Sequence, residues 1–218
     1  MPFDNDTRNK LARMVADART LLLREFTNQL QEAYGIQPNG TIAPIEKLTH
    51  LDDERRDVAE LLRERIDHLA SGLSTEKKPV PAAIDRLTRE QAFTILNRFA
   101  ALRMCEERGI VQECVRGGLQ SKGFQLYLKT AGAGLGDTYD RYRAFIFCLF
   151  DELAVDLGVL FDRFAPSGML FPREAALIEL FCVVNQEDLK AVWSEDEAIG
   201  WSYQYFNTDD ERKKMRKA

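Results

Sequence analysis

Apolar residues recur at intervals of three and four along most of this 218-residue chain, a period that belongs to helices with one buried face. Between Thr7 and about Tyr34 the stripe is Leu11, Met14, Val15, Ala18, Leu22, Phe26 and Leu30. "YGIQPNGTIAP" ends it, because Gly35, Pro38, Gly40 and Pro44 combine helix-stopping and turn-forming residues in a short span. A second helix is predicted from Asp52 to Leu69, with Val58, Leu61, Leu62, Ile66 and Leu69 inward. "SGLSTEKKPVP" then reads as an exposed linker, since its Ser, Gly, Lys and two prolines bury little and break helices.

The helical pattern resumes at Thr88-Arg89-Glu90-Gln91, a capping box in which hydroxyl and amide satisfy free backbone N–H groups. Ala92, Ile95, Leu96, Phe99 and Leu102 form the buried face behind it. Phe124, Leu126 and Leu128 alternate as a strand would, and a glycine-rich loop follows. From Thr138 to Phe164 the chain reads as one helix, roughly 40 Å long. Its middle is apolar nearly all round, which places it at the centre of a bundle. Pro172 opens the next helix, shorter ones follow near 173–184, 186–193 and 196–206, and a capping box at Thr208-Asp209-Asp210-Glu211 begins a basic helix toward Ala218. The expected fold is therefore an all-α, multi-helix bundle with a long central helix at about 138–164. The expected organisation is a helical hairpin (1–75), a linker (76–86), a helical bundle (87–207) and the start of a connector helix (208–218).

Composition narrows what such a bundle can do. Thirty Lys and Arg against 35 Asp and Glu leave a net charge of -5, which supplies no general pull toward a phosphate backbone. Lys77–Lys78 and the terminal "ERKKMRK" are the basic runs, and such runs are usually solvated faces. Cys105, Cys114, Cys148 and Cys182 form no CxxC pair and have only His50 and His68 to complete a metal shell, so reduced, buried thiols are expected. No signal-peptide core and no apolar run long enough for a membrane span occurs, which predicts a soluble, cytoplasmic protein.

Two stretches invite a chemical reading. Gly132, Gly134 and Gly136 in "TAGAGLGD" give GxGxG, a spacing that lets backbone N–H groups approach a nucleotide when it stands between strand and helix. The acidic ribose-binding position about 20 residues on falls inside the long predicted helix, so a helix–helix loop is the expected setting. Arg63 and His68 form R-x4-H, which resembles the active motif of HEPN-type ribonucleases, with His as acid/base and Arg on phosphate. The surrounding "LLRERIDHLA" is also an ordinary amphipathic helix turn, and no nucleophile is matched to a base elsewhere.

"RFAALRMCEERGIV", "GFQLYL", "DRYRAFIFCLFDELAVDLGVLFDR", "LFPREAALIEL" and "IGWSYQYFN", in this order and spacing, carry a family resemblance. Together they resemble the N-terminal region of the PglX-like, adenine-specific DNA methyltransferases of BREX, DISARM and related restriction-modification systems. The resemblance is densest from Leu96 to Asn207. It implies a non-catalytic helical scaffold that precedes a methyltransferase domain, with S-adenosylmethionine bound by the parent protein and DNA contacted through it. Neither an NPPY nor a DPPY tetrapeptide is present, so the resemblance assigns no catalytic, cofactor or metal residue here. It implies partners in the parent's own catalytic domain and other defence subunits, and it makes Trp201, Tyr203, Tyr205 and Phe206 candidates for the interdomain joint. The competing expectation is a free-standing HEPN-like ribonuclease using Arg63 and His68, or a small adaptor.

Overall fold

The computed structural model describes residues 4–73, 76–131, 136–195, 200 and 205–206. Among these the chain is all-α: six α-helices and three short 3-10 helices have defined bounds, and the strand-like pairing is confined to an isolated bridge between Ile36 and Ile42. The α-helices are α1 (Asn5–Glu32), α2 (Asp53–Gly72), α3 (Pro79–Glu107), α4 (Lys122–Thr130), α5 (Thr138–Phe161) and α6 (Glu174–Val184). Side-chain caps start three of them. Asp4 accepts from the Thr7 N–H at 2.7 Å, Asp52 from Arg55 at 2.8 Å and Asp137 from Asp140 at 2.9 Å. Each carboxylate satisfies a first-turn donor and lies at the positive end of the helix dipole.

The chain gathers into two compact units. One comprises Met1–Leu21, Leu96–Asp162 and Glu174–Ala218; the other comprises Leu22–Ile95 and Arg163–Arg173. In the first, Phe99 meets Phe150 and Phe181 edge-on at centroid distances of 6.5 and 5.8 Å, and Tyr142 meets Phe124 at 5.1 Å. These rings bury large areas with few rotors and form the unit's centre. In the second, Phe26, Leu30, Ile36, Leu62, Ile66, Ala83 and Leu87 form the interior. Gln91, fully buried, ties residues 166–170 down: its amide donates to the Pro166 carbonyl at 2.7 Å and accepts from the Leu170 N–H at 2.9 Å. Glu25 does the same for Arg173, with a guanidinium contact at 2.8 Å and a backbone one at 3.0 Å. Burial raises the Glu25 carboxyl pKa, but the bonds from Arg173 and Gln29 outweigh it and hold the group below its ordinary value.

Three local readings are corrected. Residues 79–86, expected as linker, begin α3, and Ala83, Ile84 and Leu87 are buried. Pro79 and Pro81 stand in the first turn, where a missing N–H leaves nothing unsatisfied, so they start the helix instead of breaking it. Thr88 is consequently interior to α3, and its hydroxyl donates to the Ile84 carbonyl at 2.8 Å instead of capping. The alternating segment Phe124–Leu128, to which the sequence assigned no strand, is α4, so a helix precedes the glycine segment as the helix–helix loop reading expects; the helix buries Phe124 while exposing Leu126. The long, deeply buried helix exists, but it is α3, which is buried on nearly every side from Ile95 to Met104. α5 ends at Phe161, is kinked where Leu157 adopts φ -126° and ψ 44°, and has an exposed flank.

Candidate functional site

Arg63 sits on the face of α2 turned toward the loop that follows α1. Its guanidinium donates to the carbonyls of Ala59 (2.8 Å), Tyr34 (2.9 Å) and Ala43 (2.8 Å). Burial lowers its pKa somewhat, and Glu46 works against that shift. The arrangement closes the loop Tyr34–Ala43, whose sharp turn depends on Gly35 at φ +65°. A Cβ there would lie 2.8 Å from the Ala43 methyl. His68 is exposed on α2. Five helical steps separate it from Arg63, which turns the two side chains about 140° apart around the axis. The structure thus commits Arg63 to backbone and leaves His68 on another face.

Gly132 and Gly134 lie outside the described residues. Gly136 adopts φ +86°, and the Arg141 guanidinium donates to its carbonyl at 3.0 Å. α4 ends before this glycine segment and α5 begins after it, so the flanking elements are both helices. Trp201 and Tyr203 also lie outside the described residues. Tyr205 is half-buried and Phe206 buried, with the Phe206 carbonyl accepting from Arg19 at 2.8 Å. Phe206 is thereby part of its unit's interior. Lys77 and Lys78 are exposed ahead of α3.

A buried polar network that sequence patterns did not reveal organises the first unit. Glu106, near the end of α3, accepts from the backbone N–H groups of Cys114 and Val115, and from that of Arg116 at 3.2 Å. Arg103, one turn earlier, donates to Glu107 at 2.9 Å and Asn185 at 3.3 Å, and lies 3.5 Å from Glu106. Asn185 returns a bond to the Val115 carbonyl at 3.0 Å, and the Tyr142 hydroxyl donates to the Cys114 carbonyl at 2.6 Å. The segment 114–116 is thus held by side chains from α3, α5 and the end of α6. Burial, with Glu106 adding, pushes the Cys114 thiol far up, and burial pushes the Tyr142 hydroxyl well above its usual value. Both stay protonated near neutral pH, and a thiol in that state is inert.

Arg98 is the network's counterpart on the next face of α3. It is 1% exposed, donates to the Leu160 carbonyl at 2.8 Å and the Asp162 carbonyl at 2.6 Å, and lies 5.2 Å from the Phe150 ring centre. Burial lowers its pKa to about 10, so it remains charged at neutral pH. The α5 end that it pins is apolar and uncovered: Val155 is 81% exposed, Leu157 51%, and Val159 fully exposed. The sequence signal for Arg98 is a charged residue within the mostly apolar stretch from Ala92 to Leu102, whereas Glu106 stands at the charged end of α3 and carries no such signal.

Among the described residues no group of three or more His, Cys, Asp or Glu is placed to hold a metal ion. All four cysteines are free, and two of them, Cys148 and Cys182, are exposed instead of buried as expected. Both stand at positions of their helices that face away from the core. A notch of about 130 Å³ in the second unit, lined by Leu23, Thr27, Ile36, Pro38 and Pro81 among others, is well below the size of a nucleotide-type pocket. No described helix is long and apolar enough to cross a membrane. No family model matches the chain, and neither does any curated protein or solved structure.

Proposed function

We propose that this chain is a non-catalytic helical scaffold and interaction region of an adenine N6 DNA methyltransferase, acting in the cytoplasm in a bacterial phage-defence or restriction-modification system. One observation carries the scaffold part of this reading: the side chains best suited to chemistry are committed to backbone. Arg63 holds three carbonyls, Arg98 two, and Glu106 a run of N–H groups. Such bonds rigidify a body and position what is attached to it. The methyltransferase part rests on the sequence resemblance between Leu96 and Asn207. In that setting the parent's catalytic domain binds S-adenosylmethionine and flips the target adenine from the duplex, while this region buttresses it and docks other subunits.

The ribonuclease alternative would need Arg63 to meet a phosphate. Three of its five donors are already engaged by carbonyls, and His68 lies on another face. The coding sequence beyond the Ala218 codon provides the direct test. The proposal expects a frame that continues to an NPPY-type methyltransferase motif. A stop codon with no methyltransferase gene beside it refutes the assignment. Calorimetry adds a second check, since the purified chain should give no saturable heat with S-adenosylmethionine.

A further inference from the structure

An apolar stripe on a helix gains from cover, and the second half of α5 is covered along the stripe of Phe150 and Phe161 while other apolar side chains stay open. Phe150 and Phe161 are fully buried beneath it, while Val155, Leu157 and Val159 are open. In helical register Cys148 and Val155 fall on one line, with exposed Asp151 on one flank and the exposed acidic row of Glu152 and Asp156 on the other. Beyond the kink at Leu157, Val159 is also fully exposed. The stretch from Cys148 to the kink at Leu157 corresponds to about two and a half helical turns.

This surface is held in place. Arg98 fixes the carbonyls of Leu160 and Asp162 from below, so the end of α5 is anchored where helices usually fray. A preorganised apolar face loses little entropy on binding. The acidic row selects the occupant by charge. A second copy of this face would set Glu152 and Asp156 against their own equivalents, and nucleic acid or an anionic lipid surface would be repelled in the same way.

We propose that the segment Cys148–Val159 of α5 is a docking surface for a partner α-helix that carries an apolar row beside a row of Lys or Arg. The inference gives the scaffold reading its contact surface and rests on it for its biological setting; peptide binding is read independently of methylation. The test uses the full chain and a synthetic helical peptide of about 18 residues in which Leu recurs at helical spacing beside Lys, with a control peptide in which Glu replaces Lys. Calorimetry at low salt should find the Lys peptide bound and the Glu peptide at least about tenfold weaker. The double substitution Val155→Asp with Val159→Asp should weaken the Lys peptide by a similar factor. Glu152→Lys with Asp156→Lys should reverse the preference. Circular dichroism establishes that each variant keeps its helices, and Val155→Gln with Val159→Gln provides a milder pair. Equal affinity for both peptides, or undiminished binding by the aspartate variant, would overturn the proposal. So would a wild-type dimer in sedimentation that the aspartate pair dissociates, because a second copy would then be the cover.

Discussion

α3 carries Gln91, Asn97, Arg98 and Arg103 into the interior, whereas α5 carries Val155, Leu157 and Val159 out to solvent. Apolar content alone ranks the two helices the wrong way round. A polar side chain is stable in the interior when other groups complete its hydrogen bonds: Gln91 and Arg98 donate to backbone carbonyls there, and Arg103 donates to the side chains of Asn185 and Glu107. An apolar side chain stays exposed when nothing packs against it. Burial along these helices therefore follows the partners available at each position more closely than composition.

The strongest test of that contrast removes a partner. In Arg98→Met an uncharged, flexible side chain replaces the guanidinium beside Phe150, and the carbonyls of Leu160 and Asp162 lose its donors. Two carbonyls left without bonds cost about 2 kcal/mol together, and relief from burying a charge offsets only part of this. Urea denaturation should register the loss as a lower midpoint. An unchanged midpoint would mean that Arg98 is tolerated in the core and contributes nothing to it.

The helices themselves were legible because their stripes are strong. Leu11 through Leu30 in α1 and Ala92 through Leu102 in α3 are buried as their spacing predicts. What sequence reading misplaced shares a physical cause, namely that position within an element matters as much as residue type. Pro79 and Pro81 break a helix in its middle and start one at its first turn. Leu61 was expected inward, but Ala59 takes the buried position on α2 and Leu61 is 41% exposed. The network around Glu106 was not legible at all, because it joins residues far apart in the chain, and no spacing rule marks a carboxylate that will receive the N–H groups of Cys114 and Val115. Of the candidate site residues, Arg63 was found by motif, and its actual partners, three carbonyls, could not be read from that motif.

A smaller effect is expected within α5 itself, whose first half behaves as α3 does. Tyr142 is fully buried, and its hydroxyl holds the Cys114 carbonyl at 2.6 Å. Tyr142→Phe keeps the ring contacts with Phe124 and Phe181 and removes only that bond, at a cost of about 1 kcal/mol in chemical denaturation. Agreement would place the boundary between the two behaviours inside one helix, after Phe150.

The smallest effect belongs to the uncovered end. Val155→Asp introduces a charge into a stretch that reads as core by its apolar character, and a helix buried all round would lose several kcal/mol from such a change. At 81% exposure the aspartate keeps its water, and the change should cost less than about 0.5 kcal/mol, set mainly by helix propensity and the nearby Asp151 and Glu152. Denaturation of the isolated chain measures it directly. A loss comparable to that of Arg98→Met would mean that the second half of α5 is covered in solution, and the contrast between the two helices would then disappear.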